Sequence, residues 1–261
     1  MSVIPVQSLK RIIPCLLMGT SGLVKTRKFD KPKYLGDAVN TIRIFNDKQA
    51  DEIILLDIIA GRERTPIRFN IVEEIVSQAF MPLCYGGGIT SFDEVRRLLR
   101  MGVEKIALCT AALENPGLIS EAANACGNQA VVGVVEVSRK GMFGRQEASL
   151  HGGRKKSGLS PVDAARRMVE AGAGEIMINH AERDGEMEGY DIELVKSICD
   201  AVNVPVIACG GCGSLDHIKA LFATTAVSAA AAGSLFVFHG PHRAVLINYP
   251  QPHVLNGITS R

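Results

Sequence analysis

The chain is poor in several features that define other classes of protein. It contains no tryptophan, and aromatic residues make up only 5% of its 261 residues. It has no apolar run of the roughly 18 residues that a membrane-spanning helix needs. Its first residues lack the basic, apolar and small-residue order of a signal peptide. We therefore expect a cytoplasmic protein without a membrane partner.

Charge and cysteine usage also exclude several functions. The formal net charge is only +2, from 29 basic and 27 acidic residues, so charge gives no sign of a nucleic-acid partner. The seven cysteines are odd in number and spread along the chain, which favours reduced thiols over a disulfide framework. Cys209 and Cys212 have CxxC spacing without a second such pair. We interpret them as incidental thiols in a glycine loop, and we predict no metal site and no cofactor.

Hydrophobic residues are plentiful, at 47%, and they form eight short apolar runs. Amphipathic stretches separate these runs, which predicts an α/β fold with a parallel sheet covered by helices. Eight such units fit a closed (β/α)8 TIM barrel, with an open doubly wound sheet as the alternative. No linker interrupts the pattern, so we expect a single domain over residues 1–261. The predicted strands are Arg11–Leu16, Glu52–Ile58, Leu83–Tyr85, Lys105–Cys109, Ala130–Val137, Glu175–Asn179, Val206–Ala208 and Val227–Ala231.

Glycines and hydroxyls at predicted strand ends recur about half a chain apart. Such a recurrence predicts a twofold internal repeat, with half-barrels of about 1–127 and 128–261. The matched positions are Gly86 with Gly210, Gly87 with Gly211, and Thr110 with Ser234.

Two anion sites follow from this repeat. In the first site, Gly88 precedes a helix that begins with the capping box of Ser91. The second site combines Gly211 with Gly233 and Ser234. Glycine allows backbone N–H groups to approach an anion, and a helix N-terminus adds a favourable dipole. Tight turns explain most single glycine clusters, but two matched clusters favour a substrate with a phosphate at each end.

Three carboxylates lie at or just after predicted strand ends, where barrel enzymes place their acids and bases. Asp184 follows the sixth strand, and we favour a functional role for it. For Asp57 and Glu136 a cap or a loop salt bridge is an equal alternative.

Four charged residues begin predicted strands at the opposite end. If they point inward, they can pair into a neutral ring that closes the barrel bottom, because buried charges are costly unless paired. Taken alone, they are better explained as solvated charges, which is what charges at strand starts usually are. The four are Arg11, Glu52, Lys105 and Glu175.

Local signals add some detail. Asn115 and Ser160 each precede a proline, which predicts an N-cap and a helix start at both places. The stretches Val24–Gly36 and Gly141–Leu159 have no regular pattern, and we predict irregular loops that serve as lids. The basic residues within them, such as Arg154, are either solvated or bind anions.

The chain resembles the cyclase (barrel) subunit of imidazole glycerol phosphate synthase over nearly its whole length. The fold of that family is a (β/α)8 barrel with a twofold repeat. The segments that carry the resemblance are Arg11-Ile-Ile-Pro-Cys-Leu, Val24-Lys25, Leu56-Asp57-Ile58, Gly86-Gly87-Gly88-Ile89, Thr110-Ala-Ala, Glu114-Asn-Pro, Gly172-Ala-Gly-Glu-Ile, Arg183-Asp184-Gly185, Gly189-Tyr-Asp191 and Gly210-Gly211.

The resemblance implies partners and roles. Ammonia from a glutaminase subunit passes through the barrel and meets a bis-phosphorylated ribulosyl substrate, which is cleaved and cyclised. Lys25 is then the lysine of the first loop, and Gly88 with Thr110 forms one phosphate site. The second phosphate site is formed by Asp184, Gly185, Gly211, Gly233 and Ser234. The ammonia gate is formed by Arg11, Glu52, Lys105 and Glu175.

The chain also departs from the family. Leu17 stands where the family has its catalytic aspartate on the first strand, and leucine cannot transfer a proton. Glu136 replaces a second aspartate, and Cys109 replaces a common asparagine. The tail from Phe238 to Pro250 differs from the usual last helix.

With these departures the chain resembles a subgroup of the family that is associated with the biosynthesis of surface polysaccharides such as lipopolysaccharide. In that subgroup a glutaminase and a barrel supply ammonia to a third, sugar-amidating protein. The leading hypothesis is therefore an ammonia-channelling barrel. The alternatives are a cyclase of histidine biosynthesis that uses Glu136 and Asp184, and a non-catalytic scaffold that activates its glutaminase.

Overall fold

The computed structural model describes residues 10–139 and 144–259, and these form a barrel of parallel strands surrounded by helices. In chain order the strands are β1 (Arg11–Met18), β2 (Leu23–Arg27), β3 (Asp30–Gly36), β4 (Ile53–Asp57), β5 (Leu83–Gly86), β6 (Lys105–Leu108), β7 (Val131–Arg139), β8 (Gln146–Leu150), β9 (Lys155–Lys156), β10 (Glu175–His180), β11 (Val206–Cys209), β12 (Ala229–Ala232), β13 (Phe238–His239) and β14 (Ala244–Val245). The α-helices are α1 (Ala38–Asp47), α2 (Ile58–Glu63), α3 (Phe69–Val76), α4 (Phe92–Arg100), α5 (Thr110–Glu114), α6 (Gly117–Cys126), α7 (Pro161–Glu170), α8 (Ile192–Cys199), α9 (Leu215–Thr224), α10 (Ser234–Val237) and α11 (Pro252–Thr259). Short 3₁₀ turns cover Asn128–Ala130 and Ala181–Arg183.

Eight of the strands close the barrel. The order β1–β4–β5–β6–β7–β10–β11–β12 is parallel throughout and returns to β1. Each barrel strand lies within two residues of a predicted one, and the predicted (β/α)8 barrel is confirmed.

The strands separate two apolar layers because successive side chains point to opposite faces. Along β1, Ile12 and Leu16 pack outward against the helices, while Ile13 and Cys15 point into the barrel. The inner layer is apolar and contains several small side chains. Its fully buried members are Ile13, Cys15, Ile54, Cys84, Ala107, Val132, Val134, Met177, Ile207, Ala229 and Ala231.

The helix starts follow the sequence signals in most places. The Ser91 hydroxyl accepts from the Glu94 N–H, and the Glu94 carboxylate accepts from the Ser91 N–H at 3.0 Å, so the predicted capping box is present. Ser160 caps α7 as predicted, with a proline in the first turn. The prediction for Asn115 is wrong. This residue ends α5, where its N–H donates to the Ala111 carbonyl, and α6 begins without a side-chain cap.

Both predicted irregular stretches contain strands. β2 and β3 form an antiparallel hairpin that extends the end of β1, and β8 and β9 do the same beyond β7. The turn of the first hairpin is formed by Lys28 and Phe29, both with positive φ. Such a turn is usually marked by Asn-Gly or Asp-Gly, and this sequence carries neither there. Residues 140–143, which include the first part of the Gly141–Leu159 stretch, lie outside the described residues.

The tail folds back onto the barrel. The hydroxyl of buried Tyr249 donates to the Ile12 carbonyl at 2.7 Å, which fixes the tail to β1. The β13–β14 hairpin brings Arg243 to the loop after β10, where the guanidinium donates to the Gly185 carbonyl at 2.9 Å. Within the described parts of the chain, no helix has the length and apolarity to cross a bilayer.

Candidate active site

A cavity of about 540 Å³ opens at the carboxyl ends of the barrel strands, and we call it the mouth cavity. The site residues that the sequence predicted at the carboxyl ends of the strands all line this cavity. These residues are Leu17, Lys25, Gly88, Cys109, Thr110, Glu136, Asp184, Gly185, Gly211, Gly233 and Ser234. Loops after strands meet at this face in a parallel barrel, which explains why residues so far apart in sequence share one cavity.

Asp184 is held by the first hairpin. Its carboxylate forms an ion pair with Lys25, accepts from the Thr26 hydroxyl at 2.6 Å and accepts from the Phe29 N–H at 3.2 Å. Lys25 and Asp184 are both buried, so each charge needs the other. The β2–β3 hairpin is therefore closed over the loop after β10. In this arrangement Asp184 has little capacity left to act on a substrate until Lys25 moves.

The second glycine site lies beside this ion pair. A Cβ added at Gly233 would lie 3.1 Å from Cε of Lys25, so the lysine stem runs directly over the glycine. The next residue, Ser234, begins α10, is only 3% exposed and has a hydroxyl without a hydrogen-bond partner. A buried hydroxyl without a partner is costly. An incoming anion at this place would satisfy it and would also face the ammonium group of Lys25.

The first glycine site has a similar backbone. Gly87 and Gly211 have φ of +107° and +100°, and a Cβ at either would lie within 2.2 Å of a carbonyl oxygen, so only glycine fits. Gly86 and Gly210 differ, since only Gly210 has a positive φ. Near the first site the Thr110 hydroxyl accepts from the His151 N–H at 2.9 Å, which attaches the second hairpin to the start of α5.

Glu136 is a buried acid of the mouth cavity with a raised pKa. Burial raises its pKa to about 7, and this shift is opposed by the N–H groups of Gly153 and Gly152, by Arg62 and by Cys109. The N–H groups of Gly152 and Gly153 donate to the same carboxylate oxygen at 3.1 and 3.3 Å. A carboxyl group with a pKa near 7 is suited to exchange a proton at neutral pH.

Two positions where the chain departs from the family lie in the same cavity as this acid. Leu17 lies in the mouth cavity at the end of β1 and is 9% exposed, so an apolar surface faces the ligand there. At Cys109, burial and the neighbouring Glu136 raise the pKa of the thiol. The thiol is therefore protonated at neutral pH and cannot act as a thiolate nucleophile.

The four charges at the strand starts form a closed ring, which we call the charged ring. Glu52 accepts from Arg11 at 2.5 Å and from Lys105 at 3.0 Å, and Glu175 pairs with both of the same cations. Burial lowers the pKa of Lys105 and Arg11, but Glu175 and Glu52 outweigh burial and raise both. The two cations are thus held protonated at physiological pH, and each lies between the two carboxyl groups. Its role as an ammonia gate stays a prediction.

Asp57 has a structural role. It is 1% exposed, its side chain caps α2 through the N–H groups of Ile59 and Ala60, and it forms a 3.0 Å ion pair with Arg68. The cap that the sequence left as an alternative is therefore the one that the structure favours. The partner lies on the far side of a loop, so no local signal indicates the pair.

Sequence reasoning missed two residues of the mouth cavity. Thr26 binds Asp184, and Arg62 lies at the end of α2 with its side chain in the cavity. Thr26 is only one residue after Lys25, so its role could have been considered. Arg62 lies in an Arg-Glu-Arg segment that is typical of a solvated loop, and the sequence gives no signal of its position.

Comparisons with known proteins agree with this geometry. Residues 11–242 match a family described as "Histidine biosynthesis protein". A Pseudomonas aeruginosa protein, provisionally named imidazole glycerol phosphate synthase subunit hisF2, is 48% identical over 95% of this chain and 98% of its own length. A Leptospira interrogans protein with a similar provisional name is 46% identical, over 92% and 94%.

A third relative, the imidazole glycerol phosphate synthase subunit HisF of Alkaliphilus metalliredigens, is 42% identical over 88% of this chain and 91% of its own length. The family match over residues 11–242 spans the residues of both the mouth cavity and the charged ring. The chain belongs to the HisF family of cyclase-type barrel subunits of imidazole glycerol phosphate synthase.

Proposed function

We propose that this chain receives ammonia from a partner glutaminase and releases it at the mouth cavity for the amidination of a surface-polysaccharide sugar. The glutaminase binds at the face of the charged ring, and a third protein holds the sugar. The observation that carries the proposal is the combination of a complete charged ring with Leu17 at the place of the strand-one acid. In this proposal the chain keeps the charged ring that delivers ammonia and lacks one acid of the cyclisation chemistry.

The interior of the barrel supports passage of ammonia in its neutral form. The side chains packed inside the barrel are apolar, and several of them, such as Ala107, Ala229 and Ala231, are small. An ammonium ion would lose its hydration there without gaining a partner, whereas neutral ammonia loses far less. Glu52 and Glu175 are both paired with Arg11 and Lys105, so the ring offers no free carboxyl group to other small cations. We infer that ammonia enters when a movement of the ring separates Lys105 from its two acidic partners.

A cyclase of histidine biosynthesis is the second candidate, and one observation favours it. Glu136, with a pKa of about 7, and Asp184 still lie in one cavity with both glycine sites. In that case Glu136 transfers the proton and the residue at position 17 is dispensable. The scaffold hypothesis differs from both, because it needs the charged ring only as a contact for the glutaminase.

Deletion and complementation in the source organism test the proposal. Cells without the gene should still grow without histidine, and their surface polysaccharide should lose the nitrogen that amide-¹⁵N glutamine normally supplies, as measured by mass spectrometry. Complementation with Lys105→Gln should leave the sugar unlabelled, and Lys48→Gln, on the outer surface, is the matched control. Histidine auxotrophy of the deletion strain would contradict the proposal. Full ¹⁵N labelling of the surface polysaccharide with Lys105→Gln would favour the scaffold hypothesis.

A further inference from the structure

Arg62 is a half-buried cation in the mouth cavity without a partner. It occupies the last turn of α2, and it forms no hydrogen bond or ion pair with residues 10–139 or 144–259. A guanidinium has five N–H donors and stays charged at any physiological pH. Withdrawing such a group from water without a partner is costly. An anionic ligand would remove that cost.

Two glycines fix where Arg62 lies. A Cβ at Gly152 would come within 2.6 Å of Nε and 2.8 Å of Cγ of Arg62, so the arginine stem runs directly over that glycine. A Cβ at Gly61, the residue before Arg62, would be 3.7 Å from Cα of Gly87 and 4.0 Å from the backbone nitrogen of Gly88. The backbone at Arg62 therefore lies beside the first glycine site, and its side chain reaches the turn that holds Glu136.

The carboxylates around Arg62 are already in use. Burial and Arg154 lower the pKa of Arg62, and Glu136, Asp30 and Asp184 oppose that shift from a distance. Asp184 is occupied by Lys25 and Thr26, and Glu136 accepts from two backbone N–H groups instead. None of the three therefore bonds to the guanidinium. The positive charge stays directed into the cavity.

We propose that Arg62 binds a phosphate oxygen of the substrate at the first glycine site. Gly88 and Thr110 can supply only neutral donors there, and Arg62 adds the charge. The planar fork of a guanidinium can bind two phosphate oxygens at once, which a lysine cannot do. The proposal concerns the mouth cavity but needs no ammonia transfer, so it can fail or succeed separately from the proposed function.

Calorimetric titration of the full chain with inorganic phosphate tests the assignment. The wild-type chain should bind phosphate at two sites, and Arg62→Ala should weaken one of them about tenfold or more, as expected for a lost charged hydrogen bond. Arg62→Lys should recover only part of the affinity. Arg43→Ala, on the outer face of α1, is the matched control and should leave both sites unchanged. Equal binding by wild-type and Arg62→Ala chains would overturn the proposal, as would an equal loss with Arg43→Ala.

A second readout separates binding from a structural role. Phosphate at Arg62 should neutralise the cation that opposes protonation of Glu136, so phosphate should raise the pKa of Glu136 in the wild-type chain. This shift, followed by NMR with carboxyl-labelled glutamate, should be absent in Arg62→Ala. A shift of the same size in both chains would show that phosphate binds elsewhere, and would contradict the proposal.

Discussion

The two ends of the barrel differ in how completely their polar groups are paired. At the charged ring each ionised side chain has opposite charges within 3.0 Å, supplied by the chain itself. At the mouth cavity the hydroxyl of Ser234 and the guanidinium of Arg62 have no partner among the described residues. The end with paired charges needs no ligand to be stable, whereas an anionic ligand would supply the missing partners at the other end. This difference supports the proposals that the ring serves structure and ammonia passage and that the mouth cavity binds a ligand.

The largest expected effect comes from breaking the ring. Glu52→Gln removes one of the two anions that Arg11 and Lys105 share, and both cations are largely withdrawn from water. Breaking a buried pair costs about 3 kcal/mol of the free energy of unfolding. Chemical denaturation should detect that loss, and the double variant Glu52→Gln/Lys105→Gln should recover part of it. A loss below about 0.5 kcal/mol, as for an exposed pair, would remove the contrast between the two ends.

A smaller effect is expected at the hairpin over the mouth cavity. Asp184→Asn leaves the buried Lys25 ammonium without its counter-ion, but the β2–β3 hairpin can swing outward and rehydrate it. We expect a cost of about 2 kcal/mol, less than at the charged ring. Hydrogen exchange should accelerate in Leu23–Arg27 and stay unchanged in β5. Equal acceleration in both strands would show that Asp184 stabilises the whole barrel.

Glu136 should make the stability depend on pH. Its raised pKa means that the folded chain binds this proton more tightly than the unfolded chain, so stability falls as pH rises from about 4.5 to about 7. Above a pH of about 7, burying the ionised Glu136 carboxylate lowers the free energy of unfolding by its full amount. Glu136→Gln should therefore stabilise the chain by about 1–2 kcal/mol at pH 8 and by nothing at pH 4, with solvent-exposed Glu73→Gln as the control. The opposite dependence on pH would show that Glu136 is not destabilised by burial.

The smallest effect on stability is expected at Ser234. Its hydroxyl already lacks a partner, so Ser234→Ala should change the free energy of unfolding by no more than about 0.5 kcal/mol. Phosphate affinity at the second glycine site should fall nonetheless. Thermal denaturation with and without phosphate measures both quantities. A large loss of stability without phosphate would show that the hydroxyl has a partner within the protein.

The barrel could be predicted because parallel strands buried on both faces leave continuous apolar runs in the sequence. The hairpins could not, because the strand β3 is exposed and its turn is made by Lys28 and Phe29 instead of the usual turn residues. Site residues at strand ends, such as Asp184 and Thr110, were found from position alone. The different roles of Asp57 and Glu136 depend on Arg68 and on the Gly152 turn, and such contacts between distant segments leave no local pattern.

We propose that the mouth cavity keeps the frame that binds the substrate and lacks the usual cyclisation chemistry. The purified chain, supplied with its glutaminase or with an ammonium salt, should be assayed on the bis-phosphorylated ribulosyl substrate beside the Alkaliphilus metalliredigens relative. We predict turnover lower by about 10²–10⁴, the usual contribution of a positioned general acid or base, and a gain with Leu17→Asp. Turnover equal to that of the relative would contradict the account.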